Sequence, residues 1–269
     1  MKPKIYSIFY LPNRVITDDD LYEPLICGNY QGKEVEKYLT DHTGDHLADK
    51  NKVYSELTAI YWIWKNTQQD IIGVCHYRRY YTCIPEPWYH KVKNFVKHPF
   101  HTHTRMSPLI YTTNVEKYRK KILNKQELLS ILSQYDAILP ARRIFRYSVK
   151  EHYRKYHDLR DLQVLEGVIQ DLQPDYMDAY DSVLKGNVLF ANNMFVLKNE
   201  EFQRFMSWWF ELIFEFEKRV NTLEYTGYQE RIIGFIAERL LTVWFKKENL
   251  KCKELQLIYF KKFKNKSYH

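Results

Sequence analysis

Two adjacent arginines, Arg78 and Arg79, follow the apolar run Ile71-Ile72-Gly73-Val74-Cys75, with His76 and Tyr77 between. The run is short enough for one buried strand, and strand ends in α/β sheets are where ligands gather. Two guanidinium forks at such a place offer fixed positive charge and planar donors that match a phosphate or a carboxylate. Arginine also serves in partly buried ion pairs, so simple pairing with acidic neighbours stays open. A second basic group follows the strand-like Tyr135–Pro140: Arg142, Arg143 and Arg146, then Tyr153, Tyr156, His157 and Asp158. Cations interleaved with tyrosines after a strand end make another candidate anion site, or else a solvated basic face.

Arg231, Gly234 and Glu238 share one stripe of a C-terminal helical segment, since seven residues make nearly two turns. At ~1.5 Å per residue the two charges lie about 10 Å apart along the axis. That is long for a direct pair and suits groups that flank a ligand, with Gly234 leaving room for it; a structural ion network is the alternative. Asn192 and Asn193 interrupt the apolar stretch Asn187–Leu197. An unsatisfied buried amide costs about 1–3 kcal/mol, so they either bridge to neighbouring backbone or face a ligand. Metal sites are poorly supported. The contiguous Asp18-Asp19-Asp20 would diverge, and His90, His98, His101 and His103 have no interleaved carboxylate or cysteine.

These groups need elements to hold them. Met1–Tyr10 places basic residues before an apolar run too short for a signal peptide or a membrane span, and it reads as a first buried strand. The polar turn Asp41–His46 leads into a helix whose Val53, Leu57, Ile60, Tyr61 and Trp64 recur at helical spacing, with Glu56 near its start. Residues 82–114, punctuated by Pro85, Pro87, Pro99 and Pro108, predict a long irregular excursion. Val115–Gln134 reads as basic helix, and Asp158–Leu184 as two helices divided at Pro174. Asn199 is placed to cap a long helix with an apolar stripe from Phe202 to Val220, and a last, mostly apolar helix runs from Tyr228 to about Phe245. The fold class is α/β, a mixed sheet flanked by helices, with one domain over residues 1–250 and a final strand and basic tail over 251–269.

The chain has 269 residues, 45% hydrophobic and 28% charged, enough for a sizeable core and no case for disorder. Its net charge of +8 favours anionic partners without choosing among them. Cys27, Cys75, Cys83 and Cys252 are scattered, which argues against a disulfide framework and for a reducing, cytoplasmic compartment. The lysine-rich C-terminus, from Lys246 to Lys266 with Tyr259, Phe260 and Phe263, reads equally as an ordinary solvated tail and as a patch for peripheral contact with an anionic membrane, on its inner face.

Asp41–Asp45, Lys50-Asn51, Glu56–Ala59, Trp64–Asn66 and Gly73–Tyr80 resemble a bacterial family from capsule and O-antigen gene clusters. It was first catalogued as domain of unknown function 4422 and is similar to glycosyltransferase family 111. Ile138–Pro140, Tyr156–Leu159, Asn193–Phe195 and Gly234–Leu241 extend the resemblance over nearly the whole chain. It implies a glycosyltransferase; a galactofuranosyltransferase is among the family's members. A UDP-linked donor, UDP-galactofuranose or UDP-galactose among the options, and a lipid-linked or oligosaccharide acceptor of a capsule, O-antigen or exopolysaccharide follow as expectations.

The order of elements also resembles transferases with a single Rossmann-like nucleotide-sugar domain, the glycosyltransferase A type. There a strand ends in an Asp-x-Asp pair that holds a divalent metal on the diphosphate; here it ends in His76-Tyr77-Arg78-Arg79. The comparison implies that the arginines meet the leaving diphosphate directly, with no divalent metal and no other cofactor. Asp45, Asn51 and Glu56 are then expected on donor hydroxyls, with His76, Tyr77, Asn192 and Asn193 beside them. Arg142, Arg143, His157 and Arg231 fall to the acceptor or a second anion site. An inverting transfer needs a carboxylate base, for which Glu238 and then Asp158 are the candidates. Glu238 comes first because an apolar helix would raise its pKa. A non-catalytic basic module for nucleic acid or anionic surfaces is the alternative, although buried strand-end arginines do not fit it and no nucleic acid is expected. A metal-dependent hydrolase using Asp18–Asp20 and the loop histidines ranks last.

Overall fold

Strands β1 (Pro3–Phe9), β2 (Tyr22–Ile26), β3 (Leu39–Thr40) and β4 (Ile71–His76) lie parallel in the order β4-β1-β2-β3. β1 and β4 bury both faces, as central parallel strands do, while the edge strand β3 leaves Leu39 exposed. The computed structural model describes residues 1–28, 38–85 and 109–261. His90, His98, His101 and His103, Pro87, Pro99 and Pro108, and the tail residues Lys262, Phe263, Lys264 and Lys266 lie outside the described residues.

The rest of the sheet turns back on itself. From β4 the chain reverses through Tyr77 and Arg78 into β5 (Arg79–Thr82), leaving His76 opposite Arg79. Strands β6 (Leu109–Thr112), β7 (Ala137–Pro140) and β10 (Phe195–Lys198) complete the set with β11 (Cys252–Phe260), while β8 (Arg143–Ile144) and β9 (Val188–Leu189) form a separate ribbon. β10 runs antiparallel to both β4 and β7, and β11 pairs with β7 through Cys252–Leu255 and with β5 through Gln256–Tyr259. The pairings β4-β10-β7-β11-β5-β4 therefore close into a ring of five strands. The mixed α/β character agrees with the expectation, but a plain Rossmann-like sheet is open and this one is not. The reasons are the two-residue reversal after His76, which forces β5 antiparallel, and a nine-residue β11 long enough to bridge β7 and β5.

Helices cover the sheet on two sides. Helix α1 (Asn51–Tyr54) and α2 (Leu57–Asn66) replace the single helix expected there, because Ser55 takes φ 52° and ψ −131° and breaks it. After α3 (Val115–Arg119) and α4 (Lys125–Leu132) come α5 (Val149–Tyr156), α6 (Leu159–Leu172) and α7 (Met177–Lys185), the last two divided by a 3-10 turn at Pro174. Helix α8 (Asn199–Arg219) has Lys198 at its N-cap position and no side-chain cap bond, so Asn199 does not cap it. Helix α9 (Ile232–Glu248) completes the layer. The larger core joins α2, α6, α8 and α9 to Tyr6, Ile8, Ile72 and Val74, and the smaller packs α4 against Ile5, Ile71 and Cys75, so β1 and β4 alternate between the two. Among the described residues no helix is long and apolar enough to cross a membrane.

Gly73 lets β4 pack closely on its neighbours: a Cβ there would stand 2.8 Å from Ile5 Cγ1 on β1 and 2.9 Å from Val196 Cγ2 on β10. Gly73→Ala is expected to cost about 1–3 kcal/mol by overpacking and to lower Tm by several degrees in a thermal melt, at roughly 2–4 °C per kcal/mol.

Candidate active site

The break at Ser55 places Glu56 at the head of α2. Its side chain is 7% exposed and held by three donors: Tyr10 Oη at 2.8 Å, Asn193 Nδ2 at 2.9 Å and the Arg231 guanidinium at 3.5 Å. Arg231 is itself fixed by Nε donating to Ser55 Oγ at 2.8 Å. Across the site Asn192 and Asn193 take left-handed backbone, φ 77° and 48°, a region asparagine tolerates better than most residues. This turn lets Asn192 N–H donate to Glu238 Oε1 at 2.7 Å while its carbonyl accepts from His76 Nε2 at 2.7 Å. Its side-chain oxygen accepts from Arg143 at 3.2 Å.

These groups line a cavity of about 490 Å³. Of the expected site residues it gathers Glu56, His76, Tyr77, Arg78 and Arg79, together with Asn192, Arg143, His157, Arg231 and Glu238. Its described lining holds five arginines against two glutamates, so an anionic ligand is favoured. Arg79 lies 5.4 Å from the ring centre of Tyr259 and Arg78 4.8 Å from that of Tyr77. Every residue of α9 from Ile232 to Phe245 is buried except Glu238. Arg231 precedes α9 on a 3-10 turn, and Arg231, Gly234 and Glu238 all line the cavity, while both charges are also ion-paired, Arg231 with Glu56 at 3.5 Å and Glu238 with Arg239 at 3.3 Å.

Other expected residues are placed elsewhere. Asp45 is exposed and accepts from Tyr61 Oη at 3.0 Å, and Asn51 Nδ2 donates to Ser55 O and Thr58 Oγ1; neither lines the cavity. Arg142 is paired with Glu254 outside it. Asp158 caps α6, pairs with Arg160 at 2.7 Å and lines a second depression. Asn193 is buried behind Glu56 and acts on the site through it. Asp18 pairs with Arg119 at 3.4 Å and Asp19 accepts from Leu21 N, which leaves the three aspartates divergent. Among the described residues no group of three or more histidine, cysteine, aspartate or glutamate side chains converges as metal ligands would.

Tyr10, His152, Tyr228 and Arg239 also line the cavity and were not singled out from sequence. Tyr10 had a usable signal: β1 and β4 run parallel with Ile8 opposite His76, so the residue just past β1 emerges at the same end as His76. His152 stacks on Phe145 with ring centres 3.8 Å apart, and nothing in its basic helical setting marks it.

Burial and then the Arg79 charge push His76 down to about 4, so its imidazole is neutral at pH 7. Burial alone would raise Glu56, but the positive charge that His76 takes on in the same acid range, the Asn193 hydrogen bond and Arg231 outweigh it and hold the carboxyl below its usual range. The pair thus carries one fixed negative charge. His152 is likewise pushed down to about 4, by burial and then by Arg239.

A family model described as "Domain of unknown function (DUF4422)" matches residues 4–249. No curated protein matches the chain. Among solved structures, the apo form of the bifunctional glycosyltransferase WbbM is similar with a TM-score of 0.81 and 26% identity over 97% of this chain. The chain spans 46% of that protein.

His76 gives the site a pH signature. Between its ordinary 6.5 and about 4 the unfolded chain takes up a proton that the folded site refuses, so stability present above pH 6.5 is lost on acidification through that window. Thermal melts from pH 7 to 4 are expected to show a falling Tm, and His76→Gln a shallower fall; an unchanged slope would remove His76 as a source.

Proposed function

The chain belongs to the family described as Domain of unknown function (DUF4422), and from that premise we propose that it is a glycosyltransferase of the family 111 type, with a glycosyltransferase A-like donor site. The donor is a nucleoside diphosphate sugar, a UDP-linked galactose in pyranose or furanose form. The acceptor is a growing capsule, O-antigen or exopolysaccharide chain, met at the inner face of the cytoplasmic membrane. The observation that carries the proposal is Arg78 and Arg79, set on the tight reversal after β4 and opening on the same cavity as Glu238.

Transfer with inversion assigns each group a task. Glu238 takes the proton of the acceptor hydroxyl as that oxygen bonds to the anomeric carbon. The bond from that carbon to the diphosphate breaks, and the leaving oxygen keeps the electron pair. Arg78 and Arg79 stabilise the charge that develops there, a task that a carboxylate-held divalent metal performs in related architectures, so transfer proceeds without a divalent metal. Glu56, already engaged by Tyr10, Asn193 and Arg231, is a fixed anion for orienting the sugar or its arginine partner and not a mobile base. Asp158, outside the cavity and paired with Arg160, is the weaker base candidate. The net charge of +8 supports peripheral membrane contact.

One experiment with two readouts tests this. UDP at a hundred times its Kd should add about 2.7 kcal/mol to stability in a thermal shift assay, and millimolar chelator should leave both that shift and turnover intact. Glu238→Gln should keep the shift and lose transfer by about 10²–10⁴-fold. Turnover abolished by chelator, or near-normal turnover in Glu238→Gln, would overturn the mechanism.

A further inference from the structure

Tyr156 and His157 line the catalytic cavity on one side and, on the other, a second depression of about 700 Å³ between α5, α6 and the segment from Arg219 to Gln229. The wall between them is a bonded pair. His157 Nδ1 lies 2.8 Å from Gln229 Oε1, and Gln229 Nε2 donates to Tyr156 O at 2.8 Å.

The two spaces differ in electrostatics. Arginines outnumber carboxylates in the first. In the second, Arg154 pairs with Glu151 at 2.9 Å, Arg160 with Asp158 at 2.7 Å, and Arg219 with Asp171 at 2.7 Å and Glu215 at 3.0 Å. Three of its four lining cations are thus ion-paired, and the fourth, Lys155, lies 3.5 Å from the ring centre of Tyr147; cations so engaged offer less to a phosphate or an acidic ligand. What remains is a hydroxyl-matching surface of fixed polar groups beside aromatic faces. Asp161, buried, accepts from Tyr225 Oη at 2.6 Å and Tyr153 Oη at 2.8 Å, which immobilises the Tyr225 ring on the wall. The Tyr156 ring is 61% exposed at the junction of the two spaces. Pyranose rings present C–H faces to aromatic side chains and hydroxyl edges to paired ions and amides.

We propose that this second depression is a binding groove for a neutral oligosaccharide, which on the transferase reading is the acceptor chain, its terminal hydroxyl entering the cavity past Tyr156 and His157. The charge contrast separates the ligands: the diphosphate goes to the arginine-rich cavity, the uncharged glycan to the ion-paired groove.

The test uses an array of neutral oligosaccharides with a sulfated set beside it, and UDP thermal shift in parallel. Thr226 is exposed, lines only the second depression and makes no side-chain cap bond to the turn that follows. Wild type should capture neutral glycans; Thr226→Trp, which fills the groove, and Tyr156→Ala, which removes an exposed ring, should each weaken capture by roughly tenfold or more. The UDP shift should be unchanged in Thr226→Trp. Absence of neutral-glycan capture, capture of sulfated glycans alone, or capture that survives both substitutions overturns the groove. Glycan capture without any UDP response upholds the groove and overturns the transferase reading instead.

Discussion

Asn192 and Asn193, consecutive and both in left-handed backbone, are the joint on which the cavity depends. The turn aims an N–H at Glu238 and a carbonyl at His76, and it sends one side chain to Arg143 and the other to Glu56. Four elements distant in sequence, α2, β4, β8 and α9, thereby meet through one dipeptide. Left-handed backbone costs little for asparagine compared with a branched residue, and its side chain has both a donor and an acceptor to use once there. The turn also fixes a tautomer: because the Asn192 carbonyl accepts from His76 Nε2, the neutral imidazole keeps its proton on that nitrogen.

Around this joint the charges are deliberately uneven. Glu56 is bound by a phenol, an amide and a guanidinium, which makes it a stationary negative point, while Glu238 alone escapes burial along the buried part of α9. Glu238 is engaged too, by Asn192 N–H at 2.7 Å and Arg239 at 3.3 Å, and what separates the two carboxylates is exposure, 21% against 7%, which suits the more open one to the reacting role. The arginines at the reversal after β4 supply the opposite charge. The reversal after His76 brings β5, and with it Arg79, back beside β4, and the β5–β11 pairing that closes the ring sets Arg79 beside Tyr259.

Much of this was legible in the residues. Arg78 and Arg79 at a strand end, and Glu238 on an apolar helix nearly two turns from Arg231 with Gly234 between, were readable from spacing alone, and all of them line the cavity. The pair Asn192-Asn193 declared itself by interrupting an apolar stretch. Two things were hidden. The helix break at Ser55 has no glycine or proline to announce it, because Ser55 takes a positive φ that sequence does not flag, and Glu56 owes its place to that break. The ring closure was hidden too, since it depends on β11 pairing across more than a hundred residues with β5 and β7, a non-local choice that local patterning does not encode. Asp45 and Asn51 show the opposite failure. They are polar residues in the right neighbourhood of sequence, but their side chains stabilise the local turn and helix start instead of reaching the cavity.

The most direct measurement is a crystal structure of the protein grown with UDP. The account predicts the diphosphate in the cavity beside Asn192, with its oxygens within hydrogen-bonding distance of the guanidinium groups of Arg78 and Arg79 and without a bridging metal. A diphosphate bound elsewhere on the chain, or held there through a metal ion with the two arginines turned away, would contradict it.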